Sequence, residues 1–219
     1  MKKIIIVVCF AISQQLSAQT NLSEQMIATC INTWKDSFAF GDRPARWSYD
    51  MGVILKGTER VWLNTGNVKY FNYIQRLMDF YVREDGTIKD YKPSEYNIDH
   101  INNGKLILLL YKVLGKEKYL KAANLLRDQL RTHPRTNEGG FWHKKIYPWQ
   151  MWLDGIYMAS PFLAQYAKEF NDPKWFDVVA YQIELIYGKT LDNTTGLLYH
   201  AWDESGEQRW CDPETGKSR

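Results

Sequence analysis

Leu106-Ile107-Leu108-Leu109-Leu110-Tyr111-Lys112-Val113-Leu114 is apolar nearly all round and is broken at once by Gly115-Lys116-Glu117. A helix with no polar face has no side to give to water, so this run reads as a helix buried on all sides. After the break, Lys118-Tyr119-Leu120 opens a second run in which Ala122, Ala123, Leu125 and Leu126 alternate with Lys121, Arg127 and Asp128. That mixture predicts an amphipathic helix with one face on the core and one in water.

The same two signals recur to either side. Lys69-Tyr70-Phe71 and Lys174-Trp175-Phe176 repeat the Lys-aromatic block, each after a helix-breaking stretch, Asn64-Thr65-Gly66-Asn67 and Asn171-Asp172-Pro173. Upstream of the blocks, Gly52, Gly104 and Gly155 open apolar segments of helical length at Val53 to Leu63, Leu106 to Leu114 and Ile156 to Phe170. The glycines lie 52 and 51 residues apart. Each unit closes on a glycine turn and a short apolar piece: Asp85-Gly86-Thr87-Ile88, Gly139-Gly140-Phe141-Trp142, and Thr195-Gly196-Leu197-Leu198-Tyr199. Tetratricopeptide repeats run about 34 residues and armadillo or HEAT repeats about 40–47. A longer unit with a buried inner helix and an amphipathic outer one predicts an all-α fold, an α/α toroid whose inner helices line a cavity. Three units and the start of a fourth loop are present, so the expectation is a partial copy of a larger barrel with an apolar helix face left open.

Composition narrows the function classes. Lys2 and Lys3 precede the apolar run Ile4 to Ile12, and Leu16-Ser17-Ala18 offers a small-residue cleavage site before Gln19. This predicts a signal peptide at 1–18, too short to span a bilayer, and a periplasmic or secreted domain from residue 19 to 219. The formal charge of +3 falls to +1 without those two lysines, which argues against nucleic-acid binding by bulk electrostatics. Cys30 and Cys211 do not make a disulfide framework and are read as buried thiols. Nothing in the sequence speaks to oligomeric state.

The chemistry concentrates between Gly139 and Met158. Five aromatics, His143, Lys144 and Lys145 precede one carboxylate, Asp154, at the start of a helical pattern. Asp50 and Asp99 lie ahead of the other two inner helices, so the three are expected at one end of the cavity. Capping is the ordinary reading for an aspartate at a helix start. Asp154, beside Trp152 and Leu153, has an apolar setting that favours its protonated form. A proton-donating carboxyl opposite a more ionisable Asp99 is a usable acid/base pair. His143 with Lys144, and His200 after the equivalent Gly196 turn, point to the same cavity mouth or else to a solvated rim. Trp149 and Trp152 can stack on sugar faces, although one of them fits the core. The histidines are scattered and match no metal spacing, and no phosphate loop, nucleophile elbow or dinucleotide fingerprint occurs, so neither metal nor cofactor is expected.

Gly140-Phe141-Trp142-His143-Lys144-Lys145-Ile146-Tyr147-Pro148, continuing through Gln150-Met151-Trp152-Leu153-Asp154-Gly155-Ile156-Tyr157-Met158, closely resembles the unsaturated rhamnogalacturonyl hydrolases of glycoside hydrolase family 105. Asn97-Ile98-Asp99-His100-Ile101-Asn102, Leu198-Tyr199-His200-Ala201-Trp202-Asp203 and, more loosely, Trp47-Ser48-Tyr49-Asp50-Met51-Gly52 resemble its other signature segments. The resemblance runs from Leu22 to Arg219 and implies an (α/α)6 barrel, of which about three hairpins are present. It implies hydration of a 4,5-unsaturated galacturonyl residue, with Asp154 protonating C4 and activating water for addition at C5. Asp99 then holds the sugar hydroxyls or assists the proton transfer. His143, Lys144 and His200, with Tyr49 and Trp152, are implied to bind an unsaturated acidic oligosaccharide. Two readings compete: an unsaturated glucuronyl hydrolase acting on glycosaminoglycan-type disaccharides, and a non-catalytic sugar-binding helical-repeat protein.

Overall fold

The computed structural model describes residues 22–39 and 41–219. Residues 1–18, expected as a signal peptide, lie outside the described residues. Among the described residues, no helix is long and apolar enough to cross a membrane.

Among the described residues seven α-helices carry the fold: α1 (22–33), α2 (Tyr49–Thr65), α3 (Val68–Asp79), α4 (Gly104–Leu114), α5 (Glu117–Arg131), α6 (Leu153–Glu169) and α7 (Lys174–Thr190). They make three successive hairpins, α2–α3, α4–α5 and α6–α7, which is the α/α repeat expected from the sequence. Two short strands, β1 (Gln150–Trp152) and β2 (Ala201–Asp203), pair antiparallel with Met151 opposite Trp202. The chain divides into two compact units. One comprises the residues up to Ala45 with Ile54–Leu77, and the other comprises Arg46–Val53 with Met78–Arg219.

In the first unit Ile27, Val61 and Tyr70 form a buried cluster with Ile31 and Trp62 against it. Tyr73, also buried, donates its hydroxyl hydrogen to the Trp34 carbonyl at 2.7 Å. Gly66 ends α2 in a left-handed turn (φ +67), and the Asn67 side chain accepts from Lys69 N to start α3.

In the second unit α4 packs on α5 and α6, and α6 packs on α7. The all-round burial expected of α4 holds for Gly104 to Leu108 and Leu110, but Lys112 and Val113 are exposed, so the last turn reaches solvent. The Lys-aromatic blocks have a common cause in both units. Tyr70, Tyr119 and Trp175 are all buried near the starts of outer helices, while their lysines differ. Only Lys118 is buried, and it pairs with Asp79 at 2.9 Å and Glu84 at 2.7 Å. The three closing turns also match. Gly86, Gly139 and Gly196 adopt positive φ, and each turn is clasped by an isolated bridge, Val82 to Ile88, Arg135 to Phe141 and Leu191 to Leu198.

Close approach explains the recurring inner-helix glycines. A Cβ on Gly52 would lie 2.2 Å from Asn103 Oδ1, and one on Gly104 would lie 2.5 Å from the Phe162 ring. At Gly155 the neighbour is His143 Nδ1, 3.1 Å away. Each inner helix thus begins where a side chain from another segment presses on its backbone. Phe162 is fully buried, and burying such a ring is worth about 1.5–3 kcal/mol. Gly104→Ala is expected to lower stability by about 1–3 kcal/mol, read as a drop in the urea midpoint with unchanged slope. An unchanged midpoint would show that Phe162 yields freely.

Within α6, Pro161 has no N–H to give the Tyr157 carbonyl four residues earlier. The buried Lys105 ammonium from α4 reaches that carbonyl at 3.4 Å and lies 3.9 Å from the Tyr157 ring centroid. A charge on one inner helix thereby fills the hydrogen-bond gap in the next. On the other flank of α6, Leu153, Ile156, Tyr157, Ala164, Val179 and Ile183 line an open apolar groove of about 510 Å³.

Candidate active site

Three local devices build the site, all in the second unit. The first is the 3₁₀ turn Ile98–Ile101, N-capped by Asn97, whose side chain accepts from Asp99 N at 3.0 Å. The second is the loop carrying His143, stitched on both sides by backbone bonds. His143 N donates to Gln150 O at 2.7 Å, and its carbonyl accepts from Ile98 N at 3.1 Å. The third is β1, which runs directly into α6. Leu153 N, the first free N–H of α6, donates to the His200 carbonyl at 2.7 Å. The strand pair therefore brings His200 beside Trp152, ring centroids 5.8 Å apart.

Neither Asp99 nor Asp154 caps an inner helix, which corrects the capping expectation for both. The N-cap of α4 is Asn103 and that of α6 is Trp152. Asp154 sits one residue inside α6, as Asp50 does in α2, whereas Asp99 lies five residues before Gly104 in the 3₁₀ turn. The strict equivalence of the three aspartates therefore fails at Asp99, because a polar turn replaces the helix start there. They converge all the same. Asp99, His143 and Asp154 each present an atom within 4.8 Å of the others. The Tyr49 hydroxyl is raised above its ordinary pKa first by the charge of Asp50, then by burial and the charge of Asp99, with a smaller push from Asp154.

Asp99 is mostly buried. Burial alone would push its carboxyl up, but His143 and Lys144 together outweigh burial and hold it below the usual range. Lys144 Nζ lies 2.7 Å from Asp99 Oδ2. His143 Nε2 lies 3.2 Å from Asp99 Oδ1, close enough for an ion pair but not a well-directed hydrogen bond. Asp154 is half-buried, and its Oδ1 has no hydrogen-bond donor. One carboxylate is thus held ionised by the Lys144 ammonium with the His143 imidazole beside it, and the other has an oxygen left for a reacting partner.

The remaining residues separate by exposure. His143 is buried, with 1% of its surface exposed, so the solvated-rim alternative is wrong for it; its contacts are with Asp99 and with Trp152. His200 and Tyr49 are exposed at the mouth. Trp152 is stacked by His143 (4.3 Å, 11°) and by Tyr147 (5.2 Å, 13°), so it offers less open face to a sugar than its sequence setting suggests. Trp149 packs edge-on against Trp142 and holds a left-handed φ of +67. Cys211 is buried, but Cys30 is only half-buried, which amends that expectation; both are free thiols. Sequence reading passed over Tyr147 and left Asp50 out of the functional set. Asp50 accepts from Ser48 Oγ at 2.7 Å. The one signal for Tyr147 was its place three residues after Lys144 in a turn.

Asp99, His143 and Asp154 bring two carboxylates and an imidazole within 4.8 Å of one another, and the Lys144 ammonium is already seated on Asp99 Oδ2. Spacing gave no hint of this set, because the turn, loop and helix meet only in three dimensions. Lys144 supplies positive charge at the same carboxylate.

The loop rests on His133, whose Nε2–H donates to the Trp142 carbonyl at 2.8 Å. Burial pushes its pKa from 6.5 down to about 4, against a smaller upward pull from that carbonyl. Between these values the unfolded chain binds the proton and the folded one does not. The stabilising effect is therefore complete above pH 6.5 and is lost as pH falls toward 4, by about 3 kcal/mol. Thermal melts are expected to show this slope between pH 6.5 and 4, and His133→Gln is expected to flatten it. An equal slope in the variant would remove His133 as the cause.

The helical hairpins place the chain in an α/α-repeat class with two carboxyls at one site, and the comparisons with known proteins agree on that fold. Residues 22–219 match the family model described as Glycosyl Hydrolase Family 88, and the chain belongs to that family. It is 46% identical to a family 105 glycoside hydrolase from C. acetobutylicum ATCC 824, with a TM-score of 0.82, covering 91% of this chain and 53% of that one. It is 28% identical to the unsaturated rhamnogalacturonyl hydrolase YesR of Bacillus subtilis (strain 168), covering 74% of this chain and 46% of YesR. A GH76A α-1,6-mannanase of Salegentibacter sp. HEL1_6 shares the fold alone, at 17% identity and a TM-score of 0.68. The chain spans about half the length of these relatives. Its fold is thus of the six-hairpin α/α toroid type, with three hairpins in these residues.

Proposed function

We propose that this chain carries the acid/base centre of a hydrolase that removes a 4,5-unsaturated galacturonyl residue from rhamnogalacturonan oligosaccharides in pectin breakdown, outside the cytoplasm. The observation that carries the reading is the asymmetry of the two carboxyls, with the Lys144 ammonium 2.7 Å from Asp99 Oδ2 while Asp154 Oδ1 is buried without a donor. The match to YesR supports the substrate.

Asp154 delivers its proton to C4 of the enol ether, and positive charge develops at C5. A water oxygen bonds to C5 and its proton passes back to a site carboxylate. The resulting hemiketal opens by breaking the bond from C5 to the ring oxygen, leaving a ketone at C5 and a hemiacetal at C1. That hemiacetal collapses to an aldehyde and releases the aglycone alcohol, with rhamnose as the proposed aglycone. No displacement occurs at C1, so the carboxylate-separation rule for retaining and inverting enzymes does not apply. Asp99, held anionic, stabilises the charge developing at C5 or orients the sugar hydroxyls. Lys144, His200 and Tyr49 face the uronate and its neighbours. His143 is enclosed and acts through Asp99.

The test compares unsaturated galacturonyl-rhamnose with an unsaturated glucuronyl disaccharide by decay of the enoate ultraviolet absorbance. At least about tenfold higher kcat/KM on the rhamnose-linked substrate is expected, a preference of about 1.4 kcal/mol. The reverse preference would assign the glucuronyl reading. Binding without decay of either substrate would assign the non-catalytic one.

A further inference from the structure

The lysine and the histidine at Asp99 are both held by one column of rings. Lys144 comes from a tight turn closed by Tyr147 N donating to Lys144 O at 2.9 Å. The turn's tip is exposed at Lys145 and at Ile146 (73%), and Lys145 N donates to the Glu95 carbonyl at 3.3 Å. On the side that faces Asp99 the turn is fastened by the half-buried Tyr147. Its ring lies parallel to Trp152 at 5.2 Å, and Lys144 Nζ stands 5.7 Å from its centroid. Trp152 stacks in turn on His143 and is fixed by its indole N–H donating to Gln150 Oε1 at 3.1 Å.

A lysine on a mobile tip keeps its salt bridge only part of the time, because four rotatable bonds oppose one geometry. Anchoring the turn three residues on reduces that entropic cost without any direct bond to Asp99. We propose that Tyr147 is a positioning residue: by stacking on Trp152 it holds the Lys144 ammonium on Asp99 Oδ2. The stack, rather than the phenol hydroxyl, does this. The kinetic consequence rests on the reading of Asp99 as part of the catalytic pair; the geometric claim does not. Asp99 is faced by His143 and Lys144 from the loop, Asp154 from α6, Tyr49 from α2 and His100 from its own turn. Of these, Tyr147 touches the lysine through its ring and the histidine through Trp152.

The experiment compares wild type with Tyr147→Phe, which keeps the ring, and Tyr147→Leu, which removes it. Asp99 is titrated directly by carboxyl ¹³C NMR, its signal assigned by its loss in Asp99→Asn, with thermal melts confirming that each variant is folded. Tyr147→Leu is expected to move the Asp99 midpoint upward, and Tyr147→Phe to leave it in place. Coincident titrations in all three proteins would overturn the proposal, as would an equal shift in Tyr147→Phe. The acidic limb of kcat should rise with the midpoint in Tyr147→Leu, with kcat down about tenfold and KM nearly constant. If the midpoint moves and the acidic limb does not, the positioning role stands and the catalytic reading of Asp99 falls.

Discussion

Asp154→Asn is expected to lower turnover of an unsaturated uronyl disaccharide by about 10²–10⁴-fold, the range for removing a positioned proton donor. The amide has the same shape as the carboxyl but no acidic proton for C4. Asp154 makes neither the α6 cap nor an ion pair in the structure, so the melting temperature should stay within a degree or two. Two observations together define the expected result: unchanged melting, and near loss of the enoate absorbance decay. A folded variant with near-normal turnover would remove Asp154 from the proton-donor role.

Asp99→Ala is expected to damage both stability and turnover. It leaves Lys144 and His143 facing a site built for an anion, with side chains 22% and 1% exposed. Breaking a buried pair costs about 3–5 kcal/mol. Lys144 can partly reach water, which places the cost near 3 kcal/mol. The pH dependence has a definite sign. Asp99 titrates lower in the folded chain than in the unfolded one, so its stabilising contribution is full above the unfolded carboxylate range and is lost as pH falls through the folded value. Asp99→Ala should therefore lose most stability at neutral pH and converge with wild type in acid. Adding Lys144→Met should restore part of the loss, because removing both charges is far cheaper than removing one. If Asp99→Ala melts like wild type at pH 7, the pair is not structural.

The hairpin repeat was legible because each level of the sequence pointed the same way. Glycine spacing, Lys-aromatic blocks and closing turns all marked one unit, and all three correspond to features of α2 through α7. Expectation and structure part where local pattern and tertiary contact diverge. Asp99 and Asp154 look equivalent in sequence because both precede an inner-helix glycine, yet Asn97 caps a separate 3₁₀ turn at Asp99. The sequence leaves Trp149 and Trp152 each open to a sugar or to the core, and the structure stacks His143 and Tyr147 on Trp152. Nothing in the order of residues reveals which ring lies on which. Pro161 in α6 and Lys105 in α4 are more than fifty residues apart, and only the packing of the two helices brings the ammonium to the carbonyl left without an N–H donor.

By itself the sequence determined the α/α class, the hairpin boundaries to within a few residues, and the segments that carry the chemistry. Helical periodicity and glycine turns are local properties, set by neighbours along the chain. Only the tertiary structure decided which charges meet: Lys144 on Asp99, His143 enclosed behind Trp152, and Asp154 Oδ1 left without a donor. Those outcomes depend on distances between a turn, a loop and a helix, and burial gives such distances their energetic weight.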